Sequence, residues 1–327
     1  MALLGLANKE LILFGGKGGV GKTSCAVATA IELSKTGKTL IISTDPAHSV
    51  SDCLEQKIGN RIQAIQGVEN LFAIEIIADE AFSVFKQKHE TELKKLFDVS
   101  TNLDEEDIEQ LMNLSIPGID EIMSFKTIID FIEEGKYDKY IVDTAPTGHA
   151  LRLISYPKLL DELIKVVAKM RWKYRYMITR FSGSYKPDDT DTLLLYLKKT
   201  VKKIEKLLCD NTRSEFIPVC IPESMAVLET GRLISALNTY NIKVRQMIVN
   251  NVIESEGCSF CKEKKIAQRK YIEQIENYYN DLNRTIISLF PSEITGIEKL
   301  SQLRVLLFAN KMADEKGNRT MIANMII

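Results

Sequence analysis

The chain has 327 residues, 45% of them hydrophobic, which is enough apolar sequence for one large domain or two small ones. Its formal net charge is −1, so no overall field favours nucleic acid, and we expect no nucleic-acid partner. Six cysteines are too few for a disulfide scaffold, and no apolar run approaches the length of a membrane span, about 18 residues. The N-terminal segment also lacks the basic start of a signal peptide, so a cytoplasmic location is predicted.

The first strongly patterned segment is a glycine-rich loop between a short apolar run and a helical pattern. Leu11–Phe14 is apolar enough for a buried parallel strand, and Thr23–Ser34 reads as a helix closed by Gly37. Between them, Gly16 to Thr23 fill the phosphate-loop pattern G-x-x-x-x-G-K-[ST]. The backbone N–H groups of such a loop, together with the helix N-terminus, bind polyphosphate. This segment therefore predicts a nucleotide site.

Three side chains of the loop have expected roles at that site. Lys22 would reach the β- and γ-phosphates, and the Thr23 hydroxyl would ligate Mg²⁺. Lys17 is an additional cation that suits a nucleotide held by a second subunit, where it would neutralise charge in the transition state; a solvated lysine is the alternative. The predicted nucleotide-binding residues here are Gly16, Lys17, Gly18, Gly19, Val20, Gly21, Lys22, Thr23 and Ser24.

Further strand-like runs alternate with helical patterns, as in a doubly wound, mostly parallel α/β sheet. They are Thr39–Ser43, Leu71–Ile76, Tyr140–Val142, Phe216–Ile221, Val244–Val249 and Ile286–Leu289. The gaps at about 80–135 and 150–212 are too long for single crossovers and carry apolar residues at helical spacing. We therefore expect one phosphate-loop domain over residues 1–327, into which these two segments insert an α-helical subdomain.

Two aspartates follow predicted strands and would face the ligand crevice of an open α/β sheet. Asp45, after the second strand, would orient or deprotonate the attacking water; an N-cap role is the alternative. Ser49 would lie near the γ-phosphate. Asp143 ends the run Tyr140–Val142, where a phosphate-loop protein holds Mg²⁺ directly or through water.

Cys258 and Cys261 have the spacing of zinc ligands in Cys-Ser-Phe-Cys. A structural zinc site needs four ligands, and two chains would supply four thiolates across a two-fold axis. A redox pair and two unconnected thiols are the alternatives.

The two long helical segments carry apolar stripes through Ile108–Ile132 and Leu163–Leu208. Their methionines suit a groove for varied apolar ligands, although plain core is the commoner explanation of such stripes. A run of basic residues between Lys165 and Arg180 would meet an acidic partner or membrane surface, or form a solvated face.

Together these motifs resemble the family of the arsenical-pump-driving ATPase and the cytosolic ATPase that targets tail-anchored membrane proteins. The resemblance extends over about residues 10–300. It rests on the segments 15–23, 45–49, 115–121, 143–149, 221–223 and 248–250 and on the cysteine pair.

The resemblance implies a homodimer driven by Mg-ATP, with one Zn²⁺ per dimer held by the cysteine pairs. Lys17 would reach the partner's nucleotide, Asp45 would position water, and Asp143 would sense Mg²⁺ and the γ-phosphate. Glu223 would meet the opposing Lys17, and Asn250 would recognise adenine.

Two branches of this family differ in organisation. The metalloid-pump branch usually has two fused halves and metalloid-binding cysteines, whereas this chain is a single half without an internal repeat. The targeting branch is a single half with a CxxC zinc clasp and a hydrophobic groove.

We therefore expect an ATP-driven cytosolic chaperone that binds the transmembrane segment of a tail-anchored client, acts peripherally at the membrane during delivery and passes its client to a membrane receptor. The ATPase subunit of an arsenite or metalloid efflux pump is the alternative. Ser49 and Ala150 depart from the targeting pattern, which has asparagine and threonine there.

Overall fold

A computed structural model of the chain describes residues 2–45, 49–92, 119–144 and 189–309. The strands are Leu11–Gly15 (β1), Thr39–Ser43 (β2), Gln63–Ala64 (β3), Leu71–Glu75 (β4), Lys139–Asp143 (β5), Ser214–Cys220 (β6), Gln246–Val252 (β7) and Asn283–Ser288 (β8). The helices are Lys22–Leu33 (α1), Ser49–Leu54 (α2), Ala78–Lys88 (α3), Ile119–Glu134 (α4), Asp189–Cys209 (α5), Ser224–Thr239 (α6), Ser259–Tyr278 (α7) and Gly296–Phe308 (α8), and Leu6–Asn8 forms a short 3₁₀ turn.

The strands form one sheet in the order β3-β4-β2-β5-β1-β6-β7-β8. All neighbouring pairs are parallel except β3 with β4. The chain moves outward from β1 to β2 and β4, returns at β5, and then moves to the other side through β6, β7 and β8. This confirms the predicted α/β class with a doubly wound, mostly parallel sheet. In such sheets ligands bind at the carboxyl ends of the strands where the winding reverses, here around β5 and β1.

Strand positions agree with the sequence analysis, and the differences have local causes. Every predicted strand is present, and Thr39–Ser43 has the predicted bounds. β6 begins earlier than predicted because Ser214 and Glu215 are polar yet buried, so an apolar run does not mark its start. The strand β3 was not predicted, because its two residues are exposed and join the sheet only as an antiparallel edge.

Side chains of β1 alternate between two hydrophobic clusters, one on each face of the sheet. Ile12 and Phe14 lie in the cluster that includes α1 and α8. Leu11 and Leu13 lie in the opposite cluster with residues of α4, α5 and α6. A strand buried on both faces reads as a continuous apolar run, which is why the sequence marks it so clearly.

Helices α4 and α5 lie in the two segments for which we expect an inserted subdomain. Ile128 and Ile132 of α4, and Ile204 and Leu208 of α5, are buried in the same cluster as Leu11 of the sheet. These parts of the apolar stripes therefore belong to the core of the sheet and are not available to an apolar ligand. Residues 93–118 and 145–188, with most of both stripes and the basic run, lie outside the described residues, and the proposed subdomain stays a prediction. In the described ranges, no helix combines the length and apolarity needed to cross a membrane.

Replacing the buried Phe125 of α4 by alanine tests whether this helix is part of the core. Phe125 is only 2% exposed, so Phe125→Ala should lower the free energy of unfolding by about 3–5 kcal/mol, measured by urea denaturation. Leu195→Ala is the control, because Leu195 of α5 is 52% exposed and its loss should cost about 0.5 kcal/mol or less. Equal, small losses in both variants would contradict the core assignment.

Candidate nucleotide-binding site

The glycine-rich loop between β1 and α1 has a backbone that only glycine allows at two positions. Gly21 has a φ of 89°, and a Cβ there would overlap the side-chain amide of Asn250. Gly16 has a φ of 154°, and its Cβ would overlap the carbonyl oxygen of Val219. Helix α1 then begins at Lys22 without a side-chain cap. Its first backbone N–H groups are therefore placed for an anion, as the phosphate-loop pattern predicts.

Asp143 lies at the centre of the site, at the end of β5, and is fully buried. Its Oδ2 accepts hydrogen bonds from Thr23 Oγ1 at 2.7 Å and from Ser49 Oγ at 3.3 Å. Its buried Oδ1 has no hydrogen-bond partner among the described residues. Burial raises the pKa of Asp143 to about 6, although the Thr23 hydroxyl and the Lys22 ammonium act in the opposite direction. A carboxylate oxygen without a partner, beside a threonine hydroxyl, fits the oxygen ligands that Mg²⁺ prefers.

Lys22 is the buried cation of the site, with 5% of its surface exposed. Its Nζ donates to the carbonyl oxygen of Lys17 at 3.3 Å and so lies over the loop. Burial lowers the pKa of Lys22, and the negative charges of Asp143 and Asp45 oppose this shift. An ammonium group in this position is placed to meet the phosphates of a nucleotide. The other lysine of the loop, Lys17, is less buried than Lys22 and is partly exposed to solvent.

Asp45 lies at the same edge of the sheet as Asp143. Ser43 of β2 is paired with Asp143 of β5, and the backbone N–H of Asp45 donates to Ser43 Oγ at 3.2 Å. Asp45 is half-buried, and its charge acts on both Lys22 and Asp143. The structure thus brings together the two aspartates that the sequence analysis placed in one crevice. Residues 46–48 and 145–150, including His48 and His149, lie outside the described residues.

Asn250 of β7 contacts the phosphate loop directly. Its Nδ2 donates to the carbonyl oxygen of Val20 at 3.0 Å, and the side chain is buried. Its Oδ1 has no partner among the described residues. Asn250 therefore braces the loop, and its role toward adenine stays a prediction. Glu223, which immediately precedes α6, is exposed.

The cysteine pair lies at the start of α7, where Cys258 is exposed and Cys261 is partly exposed. Cys258 caps this helix, because its sulfur accepts a hydrogen bond from the backbone N–H of Cys261 at 3.3 Å. That hydrogen bond lowers the pKa of Cys258. The hydrogen bond between the two thiol side chains raises the pKa of Cys261. Within the described residues of one chain, no three histidines, cysteines or acidic residues are grouped as a metal site. A single chain thus offers two thiolates at this position.

Sequence reasoning missed one acidic residue at the carboxyl edge. Glu75 ends β4, is 3% exposed and accepts two hydrogen bonds from Ser51 of α2. The signal was hidden, because the apolar sequence continues through Ile76 and Ile77, so Glu75 lies inside the predicted strand Leu71–Ile76 and not at its end.

Comparison with known proteins gives matches over almost the whole chain. The model of the anion-transporting ATPase family matches residues 9–309. The chain is 36% identical over 318 residues to "ATPase ASNA1 homolog 1" of Paramecium tetraurelia, covering 94% of this chain and 95% of that relative. It is 32% identical over 318 residues to "ATPase get3" of Aspergillus niger, covering 94% and 92%. It is 35% identical over 305 residues to "ATPase ASNA1 homolog" of Dictyostelium discoideum, covering 90% and 88%.

The raised pKa of Asp143 predicts a pH-dependent cost to stability in the nucleotide-free protein. The folded state binds this proton more tightly than the unfolded chain, so the charged carboxylate destabilises the fold above about pH 6, and the cost disappears as the pH falls below 4. Asp143→Asn should therefore raise the free energy of unfolding at pH 7.5 by about 1–3 kcal/mol, and the gain should shrink steadily between pH 6 and pH 4.

Urea denaturation across this pH range measures the effect. Asp281→Asn, which removes a charge from an exposed position, is the control and should change stability little. A gain for Asp143→Asn that stays constant with pH would contradict the assigned cause.

Proposed function

Because the chain belongs to the anion-transporting ATPase family, we propose that this ATPase is a cytosolic targeting chaperone. It would bind the transmembrane segment of a tail-anchored membrane protein, act peripherally at the membrane and deliver the segment to a membrane receptor. The end-to-end match to single-half relatives named ASNA1 and GET3 supports this branch. The second candidate function is that of the ATPase subunit of an arsenite or metalloid efflux pump.

The arrangement of the cysteines is the observation that favours targeting over metalloid transport. Arsenite needs closely placed, accessible thiolates. Cys25, Cys53 and Cys220 are buried, and burial raises the pKa of each thiol. Cys209 is partly exposed, and its sulfur donates a hydrogen bond to the carbonyl oxygen of Tyr240 at 3.3 Å. The remaining pair, Cys258 and Cys261, offers two thiolates per chain, which suits a shared zinc better than a metalloid cage.

For ATP hydrolysis we assign roles to the residues around Asp143. Lys22 would bind the β- and γ-phosphates, and Thr23 and Asp143 would hold Mg²⁺, which neutralises charge on the phosphates. Asp45 would orient the attacking water. The direct contact of Asp143 with Thr23 and the half-buried position of Asp45 beside Lys22 support these assignments.

Asp143 also offers a route from the nucleotide to the client. It contacts Thr23 of the phosphate loop and Ser49 of α2, and it lies a few residues before the segment at about 150–212, for which we expect part of the helical groove. A change at the γ-phosphate would therefore reach both segments that follow the two aspartates. ATP would close the dimer and complete the groove, and hydrolysis would release the client.

The homodimer would place Lys17 of one chain at the nucleotide of the other. The half-buried Lys17 and the exposed Glu223 are both accessible to a second subunit, as that pairing requires. The exposed Cys258 and the partly exposed Cys261 would meet their counterparts across the two-fold axis and hold one Zn²⁺.

Metal analysis of the purified dimer tests the zinc clasp. We expect one zinc per two chains, because four thiolates complete one tetrahedral site. The double variant Cys258→Ser and Cys261→Ser should lose the metal and weaken the dimer, measured by sedimentation. Cys209→Ser is the control and should keep both. One zinc per chain, or a stable reduced dimer without zinc, would overturn the clasp.

Client capture separates targeting from metalloid transport. Co-expression with a tail-anchored client of about 20 apolar residues should give a complex. Replacing Met170, Met177 and Phe181 together by aspartate should abolish capture and leave ATP turnover intact, although these positions lie outside the described residues. Leu289→Asp is the control, because this exposed apolar residue lies outside both helical segments, and it should capture normally.

The opposite result would favour the pump. If the triple variant still captures the client, and arsenite stimulates turnover in wild-type protein but not in cysteine variants, the targeting proposal is wrong.

A further inference from the structure

Glu75 occupies the position on β4 that corresponds to Asp143 on β5. Both residues are paired with Ser43 of the intervening strand β2. The three residues form a row along the carboxyl edge of the sheet, and the chain leaves β2 toward Asp45 between the two acidic residues. Glu75 is thus an acidic residue of the catalytic edge that has no role in the assignments above.

The carboxylate of Glu75 is directed at the first turn of α2. Its Oε1 accepts a hydrogen bond from the backbone N–H of Ser51 at 2.9 Å, and its Oε2 accepts one from Ser51 Oγ at 3.0 Å. Backbone N–H groups of a first helical turn have no partner within the helix, and a negative charge there is favourable. Glu75 therefore acts as a cap for α2, although it lies on a neighbouring strand and not in the helix itself.

Helix α2 is held from the opposite side by Asp143. Ser49, its first residue, donates to Asp143 Oδ2 at 3.3 Å. The helix therefore spans the end of β2, with one contact to β5 and another to β4. It has only six residues, too few to be stable alone, so its position depends on these contacts and on the burial of Val50 and Leu54.

We propose that Glu75 is a positioning residue for ATP hydrolysis. It fixes α2, whose first residue lies four positions after Asp45 in the sequence, so that Ser49 meets Asp143. The carboxylate of Asp45 is thereby held where it meets the attacking water. The inference rests on the role proposed above for Asp45, and not on the identity of the client. A displacement of about 1 Å in such a group is enough to lower a rate by about 100-fold.

Steady-state ATP turnover and nucleotide binding, measured together on purified full-length protein, test this role. Glu75→Ala should lower kcat by about 10- to 100-fold and change the Kd for a fluorescent ADP analogue by less than about threefold, because Glu75 lies outside the phosphate loop. Glu75→Gln keeps an oxygen for the Ser51 N–H and should recover most of kcat. Ser51→Ala keeps the N–H and should give an intermediate loss. Glu69→Ala, an exposed glutamate before the same strand, is the control and should turn over normally.

A double-mutant cycle with Asp45→Asn shows whether Glu75 acts through Asp45. If it does, Glu75→Ala should cost little further activity once Asp45→Asn is present. The same 10- to 100-fold loss in both backgrounds would overturn the proposal. So would a normal kcat for folded Glu75→Ala protein with a lowered melting temperature, which is the result expected of a purely structural residue. If Asp45→Asn itself keeps full turnover, the proposal is wrong as stated, whereas targeting is judged separately by client capture.

Discussion

Burial of the Asp143 carboxylate is the constraint on which the rest of the site depends. A charged carboxylate without water is stable only if its oxygens receive donors or cations. Oδ2 receives the hydroxyls of Thr23 and Ser49, whereas Oδ1 receives none among the described residues. Among the described residues, the negative charge at Asp143 Oδ1 is therefore not compensated by a hydrogen bond, and a bound cation would stabilise it. Local instability of this kind is typical of functional sites, where a group that costs folding energy serves the chemistry.

The sheet determines which groups meet Asp143. Because β2, β5 and β1 are neighbouring parallel strands, their carboxyl ends bring Asp45, Asp143 and the phosphate loop to one edge. The helix that follows β2 is short, so it takes its position from side chains on the adjacent strands. The geometry of the site thus depends more on strand register than on any single loop.

The sequence predicted the strands and the loop well, because both depend on local patterns. An apolar run bounded by polar residues marks β1, β2 and β5, and the glycine spacing marks the phosphate loop. Residues whose role depends on distant partners were harder to predict. The sequence placed Asn250 directly after the predicted strand Val244–Val249 and did not predict its contact with Val20, and it gave no reason to connect Glu75 with Ser51. The stripes in α4 and α5 were ambiguous, because helical spacing is the same for a core helix such as that of Ile128 and for a ligand groove.

The glycine-rich loop is close to the N-terminus, yet its supports come from much later in the chain. Gly16 lies against the carbonyl of Val219, and Gly21 lies against the amide of Asn250. These contacts join residues separated by roughly two-thirds of the chain, and such non-local contacts form late because a long loop must close first. During synthesis, the loop therefore lacks its contacts with Val219 and Asn250 until β6 and β7 have left the ribosome and joined the sheet. The hydrogen bond from Asn250 to Val20 spans 230 residues, so a nascent chain completes the support of this loop only after β7 has been synthesised.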